Sequence, residues 1–208
     1  MILRVLALSS FGALCSASFA QFFATSGFDA SAEGWRGDTC NGGFSWRSSG
    51  GSPGGYLQWA EPCSSTFVVA PIQYLGDWSS LIGTGAIDFD LRIDHWPSNG
   101  SPLPYEVRLS GPLGSAKWLG ATPTSVHGWR HFQIPLSSSA WQLTSGNWVD
   151  LMHGIGRFEI RIRQFSNTDQ TQVTGLDSVR IGIVPEPVTL LVLAPLAAWA
   201  ARRRTRSH

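Results

Sequence analysis

The chain has 208 residues, with 15 lysines and arginines against 14 aspartates and glutamates and a formal net charge of +1. Between the two ends only one lysine, Lys117, remains, and no run of clustered Lys and Arg offers the face that a phosphate backbone requires, so nucleic acid is not the expected ligand. Length alone permits one or two domains of roughly 100–200 residues. Both ends read as targeting segments, which leaves one domain over residues 21–183.

At the N-terminus Arg4 precedes an apolar run over residues 5–14, and Ala17-Ser18-Phe19-Ala20 supplies a small-x-small pattern before Gln21. This predicts a secretory signal peptide over residues 1–20, cleaved after Ala20. Its apolar core is well short of the roughly 20 residues that span a bilayer. Cys15 departs with it, because Leu14 stands where a lipoprotein signal has a small residue. Cys40 and Cys63 remain. In an exported chain they are most simply one disulfide, since no CxxC spacing or neighbouring histidine supports thiolate chemistry. Closing that loop contributes on the order of 3 kcal/mol in the chain-entropy model.

Taken in order, the domain reads as short strands. Phe22 to Asp29 is an edge strand, followed by a turn at Glu33-Gly34 and a second strand at Trp35. Phe44-Ser45-Trp46 alternates, and Ser52-Pro53-Gly54-Gly55 turns the chain into Tyr56-Leu57-Gln58-Trp59. Phe67-Val68-Val69-Ala70-Pro71 is an apolar strand that leads into a helical turn or tight loop over Tyr74 to Ser80. The clearest strand comes next. Ile87, Phe89, Leu91 and Ile93 occupy one face and Asp88, Asp90, Arg92 and Asp94 the other, a period of two that puts one face in the core and one in water. Tyr105 to Leu109, Arg130 to Leu136 and Phe158 to Arg163 repeat it. One helix is expected, with Asn147 as its N-cap and Gly154 at its end. Leu176 to Ile183 is the last strand. Many short alternating strands with almost no helix predict an all-β fold, an antiparallel two-sheet sandwich.

Residues able to carry chemistry are few. Asp88, Asp90 and Asp94 share a strand face and are expected to be its solvated side, paired across strands with arginines such as Arg161 and Arg163. A glycosidase needs two carboxylates straddling the bond, and no such pair is visible. His127 and His131, four apart in a strand, stand roughly 13 Å apart along the chain and make no metal site. No Gly-x-Ser-x-Gly elbow occurs. The ten tryptophans are the remaining signal. Trp35, Trp59 and Trp129 are expected in the core, where large rings fill the gap between sheets. Trp78, beside Gly76-Asp77, and Trp96, before Pro97-Ser98-Asn99-Gly100, lie in expected loops and are the candidates for stacking on sugar rings.

The C-terminus carries the most specific motif. Pro185-Glu186-Pro187 is followed by an apolar stretch over residues 188–201 and by the basic cluster Arg202, Arg203, Arg204 and Arg206, which holds the far end on the cytoplasmic side. Residues 184–208 closely resemble the PEP-CTERM sorting signal of exopolysaccharide-producing Gram-negative bacteria. The resemblance implies processing by exosortase, a membrane transpeptidase-like enzyme, and delivery to the cell surface or biofilm matrix. At about fourteen residues, with Pro195 inside it, the apolar stretch spans a roughly 30 Å core poorly. It suits a transient membrane handle better than a permanent anchor.

A second resemblance covers residues 28–183. Phe67-Val68-Val69-Ala70-Pro71 with Tyr74-Leu75-Gly76-Asp77, the strand Ile87-Asp88-Phe89-Asp90-Leu91-Arg92, the strand Phe158 to Arg163 and the closing Gly175-Leu176-Asp177-Ser178-Val179 look like the laminin B (laminin IV type A) module. This implies a jelly-roll sandwich of the kind common among carbohydrate-binding modules. Such modules often pin their first and last strands with calcium, which here would fall to Asp29 and Asp177; the plainer alternative is that both only cap turns. The expectation is a non-enzymatic exported surface or matrix protein, in contact with exopolysaccharide. A glycan-active enzyme on the same fold and a purely structural adhesive protein are the alternatives.

Overall fold

The computed structural model describes residues 21–60, 66–95, 101–166 and 172–183. The segments expected to be a signal peptide and a sorting signal, together with Cys63 and Trp96, lie outside the described residues. The strands are β1 (Gln21–Ser26), β2 (Arg36–Gly37), β3 (Phe44–Arg47), β4 (Tyr56–Ala60), β5 (Phe67–Val69), β6 (Gly85–His95), β7 (Glu106–Gly111), β8 (Gly114–Leu119), β9 (His127–Pro135), β10 (Gln142–Gly146), β11 (Arg157–Arg161) and β12 (Val173–Ile183). One short helix, α1 (Trp148–Met152), follows β10. The Asn147 side chain accepts the Asp150 amide, which satisfies one of the donors that a helix start leaves open.

Two six-stranded antiparallel sheets form. The first runs β3-β4-β12-β6-β9, and the second β10-β8-β7-β11-β5-β2. β1 and β4 share one edge of β12: β4 pairs with its beginning, at Val173–Leu176, and β1 with its end, at Val179–Ile183. The last strand is thereby the central one of its sheet. β6 pairs along its other edge, from Val173 opposite His95 to Ile183 opposite Gly85.

The alternation read in the sequence sets the inner faces. Ile87, Phe89, Leu91 and Ile93 of β6, Leu57 and Trp59 of β4 and Leu176, Val179 and Ile181 of β12 meet Val107 and Leu109 of β7 and Phe158 and Ile160 of β11 in one core cluster. Between the sheets Phe158 is surrounded by rings, with centroids at 5.8 Å to Trp35, 6.0 Å to Tyr74 and 5.9 Å to Trp78. Single 3₁₀ turns at Ile72–Tyr74 and Ser79–Leu81 close this end, so the helical turn expected near Tyr74 is present.

Three expectations are corrected. Asp88 and Asp90 do not face Arg161 and Arg163, which belong to or follow β11 in the other sheet. Their neighbour is β9: His131 reaches Asp90 at 2.9 Å and Asp88 at 3.3 Å, and Gln133 donates to Asp88 at 3.0 Å. Under this cover Asp88 is buried, not solvated. Trp129 is not between the sheets. It lies half-buried on the outer face of the first sheet, where Arg92 sits 4.3 Å from the Tyr56 ring centroid and 4.9 Å from that of Trp129.

Candidate functional site

Pairing across the second sheet places one residue from each strand in a continuous row on its outer face: Arg36, Val69, Glu159, Arg108, Lys117 and Gln142. The neighbouring row on one side carries Phe67 opposite Arg161 and Glu106 opposite Leu119. On the other side stand Arg157, Ser110, Ser115 and Ser145. The period of two that sends Phe158, Ile160, Val107 and Leu109 inward therefore sends these polar residues outward together. A cleft of about 360 Å³ opens over them, lined by Arg108, Ser110, Ser115, Lys117, Thr144 and Glu159.

The carboxylates of this face are held by guanidinium groups. Glu106, only 4% exposed, accepts from Arg108 at 2.6 Å and from Arg161. Arg157 directs Nε and Nη2 onto one oxygen of Glu159, at 2.8 and 2.6 Å. Arg108 and Arg161 also cover the buried Phe67 ring, at 4.0 and 5.2 Å from its centroid, an arrangement that suits the weakly hydrated, planar guanidinium. Burial pushes the Arg161 pKa down, and its Nε has no hydrogen-bond partner among the described residues. Ser115 Oγ lies 2.6 Å from Thr144 Oγ1 and 2.8 Å from Ser145 Oγ, so hydroxyls border the cleft along β8 and β10. The cleft thus offers cationic donors and hydroxyls. Glu159, the carboxylate among its lining residues, is held by Arg157.

A second constellation forms at one end of the first sheet. Asp177, fully buried, accepts the Ser52 amide at 2.5 Å and the Ser178 amide at 2.6 Å. Its pKa is pushed up to about 6, first by desolvation and further by the charges of Asp90 and Asp29, against the two amide bonds. The loop over residues 50–55 packs on it: a Cβ on Gly51 would come within 2.6 Å of Asp177 Oδ2 and 2.9 Å of the Gly54 carbonyl, and one on Gly54 within 2.5 Å of Asp29 Oδ1. Only glycine tolerates such approach. Phe28 and Ser178, next to the two aspartates, both have φ of 52°, a backbone region that residues with side chains seldom adopt. The tertiary structure thus brings Asp29 and Asp177, far apart in sequence, against one glycine loop with several backbone carbonyls. Oxygen-only donors of this kind suit a hard divalent cation such as calcium. Among the described residues no three His, Cys, Asp or Glu side chains come together.

Of the two tryptophans proposed for sugar contact, Trp78 is 0% exposed. Its ring packs on Phe158 and its amide bonds to the Met152 carbonyl, which corrects the reading of it as a loop platform. Trp96 lies outside the described residues. Cys40 is half-buried against the core, and its expected partner Cys63 falls outside. Pro185, Glu186, Pro187, Arg202, Arg203, Arg204 and Arg206 fall outside as well. Among the described residues no helix is long and apolar enough to cross a membrane. The cleft residues themselves were missed. Their signal in the sequence was the outward set of the strands at 105–109 and 158–163, together with the single lysine of the domain.

No family model matches the sequence, and no curated protein matches it. Solved structures do. The L4b domain of human laminin alpha-2 superimposes with a TM-score of 0.54 at 10% identity, over 73% of this chain and 91% of that one. The fold is a jelly-roll sandwich. An exo-beta-agarase matches at a TM-score of 0.51 and 13% identity, over 82% of this chain but only 26% of the agarase. The carbohydrate-binding module CtCBM11 matches at 0.50 and 14%, over 82% of this chain and 99% of the module. The expected similarity to a laminin module is therefore found at the level of fold. At these identities the likeness is one of fold alone.

Proposed function

We propose that the protein is an exported surface or exopolysaccharide-matrix protein of a Gram-negative bacterium whose jelly-roll domain binds carbohydrate without cleaving it. The observation that carries this reading is the open cleft on the outer face of the second sheet. It is built from regular strands, so its polar side chains are held in place rather than carried on loops, and it is lined by hydroxyls and cationic donors of the kind that ligate sugars. CtCBM11 is a carbohydrate-binding module on the same fold, and the agarase, whose full length is several times this domain, includes the fold as well. Glu159, the carboxylate that lines the cleft, is tied to Arg157, which favours binding over hydrolysis.

Export rests on the sequence. The signal peptide carries the chain through the inner membrane, residues 188–201 hold it transiently there, and exosortase reads Pro185-Glu186-Pro187. The Cys40–Cys63 bridge fits the oxidising compartment beyond. A structural calcium at Asp29 and Asp177 would tie the start of the domain to its central strand.

The test is a polysaccharide array probed with the purified secreted protein, followed by analysis of the supernatant for released sugar. Binding without product is the expected result. Product release would make the protein an enzyme, and silence on every glycan would make it a structural or adhesive protein. The intact mass of the same sample is expected to lack the C-terminal basic cluster; a secreted form retaining residues 202–208 would overturn processing.

A further inference from the structure

We propose that the cleft selects acidic polysaccharides, whose sugars carry carboxylate groups, over neutral ones. This rests on the glycan-binding reading above and narrows it to a ligand class. The charge on the molecule is divided between its two broad faces. The outer side of the second sheet gathers Arg36, Arg108, Lys117, Arg157 and Arg161 against Glu106 and Glu159, with Asp38 at the far edge, its Oδ1 engaged by the Thr66 amide. The first sheet carries Asp90 and Asp94, with Asp88 and Asp177 buried, beside Arg47, Arg92 and the exposed Arg180, which stands opposite Asp88. A polyanion is attracted to the face of the second sheet, where cations outnumber carboxylates.

On this face three arginines share Glu106 and Glu159, and Lys117, which lines the cleft, makes no ion pair among the described residues. Lys117 stands between Arg108 and Gln142 in the central row, one residue pair away from the Ser115 and Thr144 hydroxyls. An ammonium and the half-exposed Arg108 guanidinium beside hydroxyls form a site for a carboxylate flanked by sugar hydroxyls, with charge-assisted hydrogen bonds supplying the affinity. What neutral sugars most need is missing. Among the described residues no aromatic ring lines the cleft, and Phe67, on the same face, is buried beneath Arg108 and Arg161. Without a ring to stack on, an uncharged sugar gains little here beyond exchanging its hydrogen bonds with water.

The experiment compares binding of the secreted protein to polygalacturonate, to the same polymer fully methyl-esterified and to a neutral β-glucan, at low and high salt. The acid form is expected to bind about tenfold or more tightly than either neutral form, and to weaken as salt is raised. Lys117→Glu is expected to reduce that affinity by about tenfold or more, the size of one lost charge-assisted hydrogen bond. Arg47→Glu makes the same charge change on the opposite sheet and is expected to leave affinity within about twofold, because a charge that far away is screened. Thermal melts establish that both variants are folded; should Lys117→Glu melt early, Lys117→Gln takes its place. Equal binding to the esterified polymer, or equal loss in the two variants, overturns acidic selectivity while leaving glycan binding in place. Absence of binding to all three polymers, with a negative array, overturns both.

Discussion

Replacing Phe158 by alanine is expected to lower the unfolding free energy by about 3–5 kcal/mol, the range for removing a buried phenylalanine from a packed core. Phe158 is fully buried and is the ring on which Trp35, Tyr74 and Trp78 converge. Deleting it removes its own burial and strips one ring contact from each of three neighbours, and rings that large cannot all move in to fill the space. The loss is a large fraction of the net stability of a typical domain, about 5–15 kcal/mol. Denaturant titration checks it, with a lowered midpoint and an unchanged slope. Val149, half-exposed on α1, supplies the contrast: Val149→Ala is expected to fall within about 0.5 kcal/mol. A Phe158→Ala loss below about 1 kcal/mol would mean that these rings do not form the centre of the core.

The second large effect is electrostatic and concerns Asp177. Its pKa in the folded protein is about 6, above the value of roughly 3.9 expected when unfolded. Between these values the folded state holds the proton more tightly than the unfolded state does. Without a divalent cation, stability is therefore expected to be highest below about pH 4 as far as this group is concerned, and to decline as pH rises through 6. A shift of this size is worth on the order of 2–3 kcal/mol, trimmed to about 2 where water reaches the loop over residues 50–55. The like charges of Asp90 and Asp29 add to the rise that desolvation causes. A calcium ion between Asp29 and Asp177 would reverse that penalty, because a cation favours the charged form. Thermal melts at acidic and neutral pH, each with chelator and with calcium, read both effects. The expected pattern is a midpoint that falls with pH in chelator and is restored by calcium at neutral pH. Asp177→Asn should abolish both the pH slope and the calcium response. If calcium leaves the wild-type midpoint unchanged, Asp29 and Asp177 serve only to hold the turn through the Ser52 and Ser178 amides.

These two residues also show how far the sequence reaches. The pairing of Asp29 with Asp177 was suggested by resemblance to other jelly-roll modules, and the fold brings both to the same loop. The sequence carried no sign of the loop's part in this: the Gly51 to Gly55 stretch read only as a turn, whereas its glycines are what let the backbone lie against both carboxylates. Trp78 and Trp129 failed in opposite directions. Beside Gly76-Asp77, Trp78 has the local setting of an exposed loop ring, and in a strand rich in apolar residues Trp129 has that of a core ring. The first is buried against Phe158, and the second lies outside on Arg92.

By itself the sequence determined most of the strands and their faces and the capped helix, though not β8 or β10. Alternation along a strand and capping at a helix end are decided within a few residues of backbone, so Ile87, Phe89, Leu91 and Ile93 had to face together and Asn147 could be placed as the cap. Only the tertiary structure decided which strands are neighbours. The period of two says on which face Arg161 and Glu159 stand but not what they meet there. It was the order β10-β8-β7-β11-β5-β2 that gave Arg161 to Glu106 rather than to Asp88, and that lined up Glu159, Arg108 and Lys117 from three separate strands under one cleft. Pairing between distant strands depends on how the whole core closes, and no local pattern encodes it.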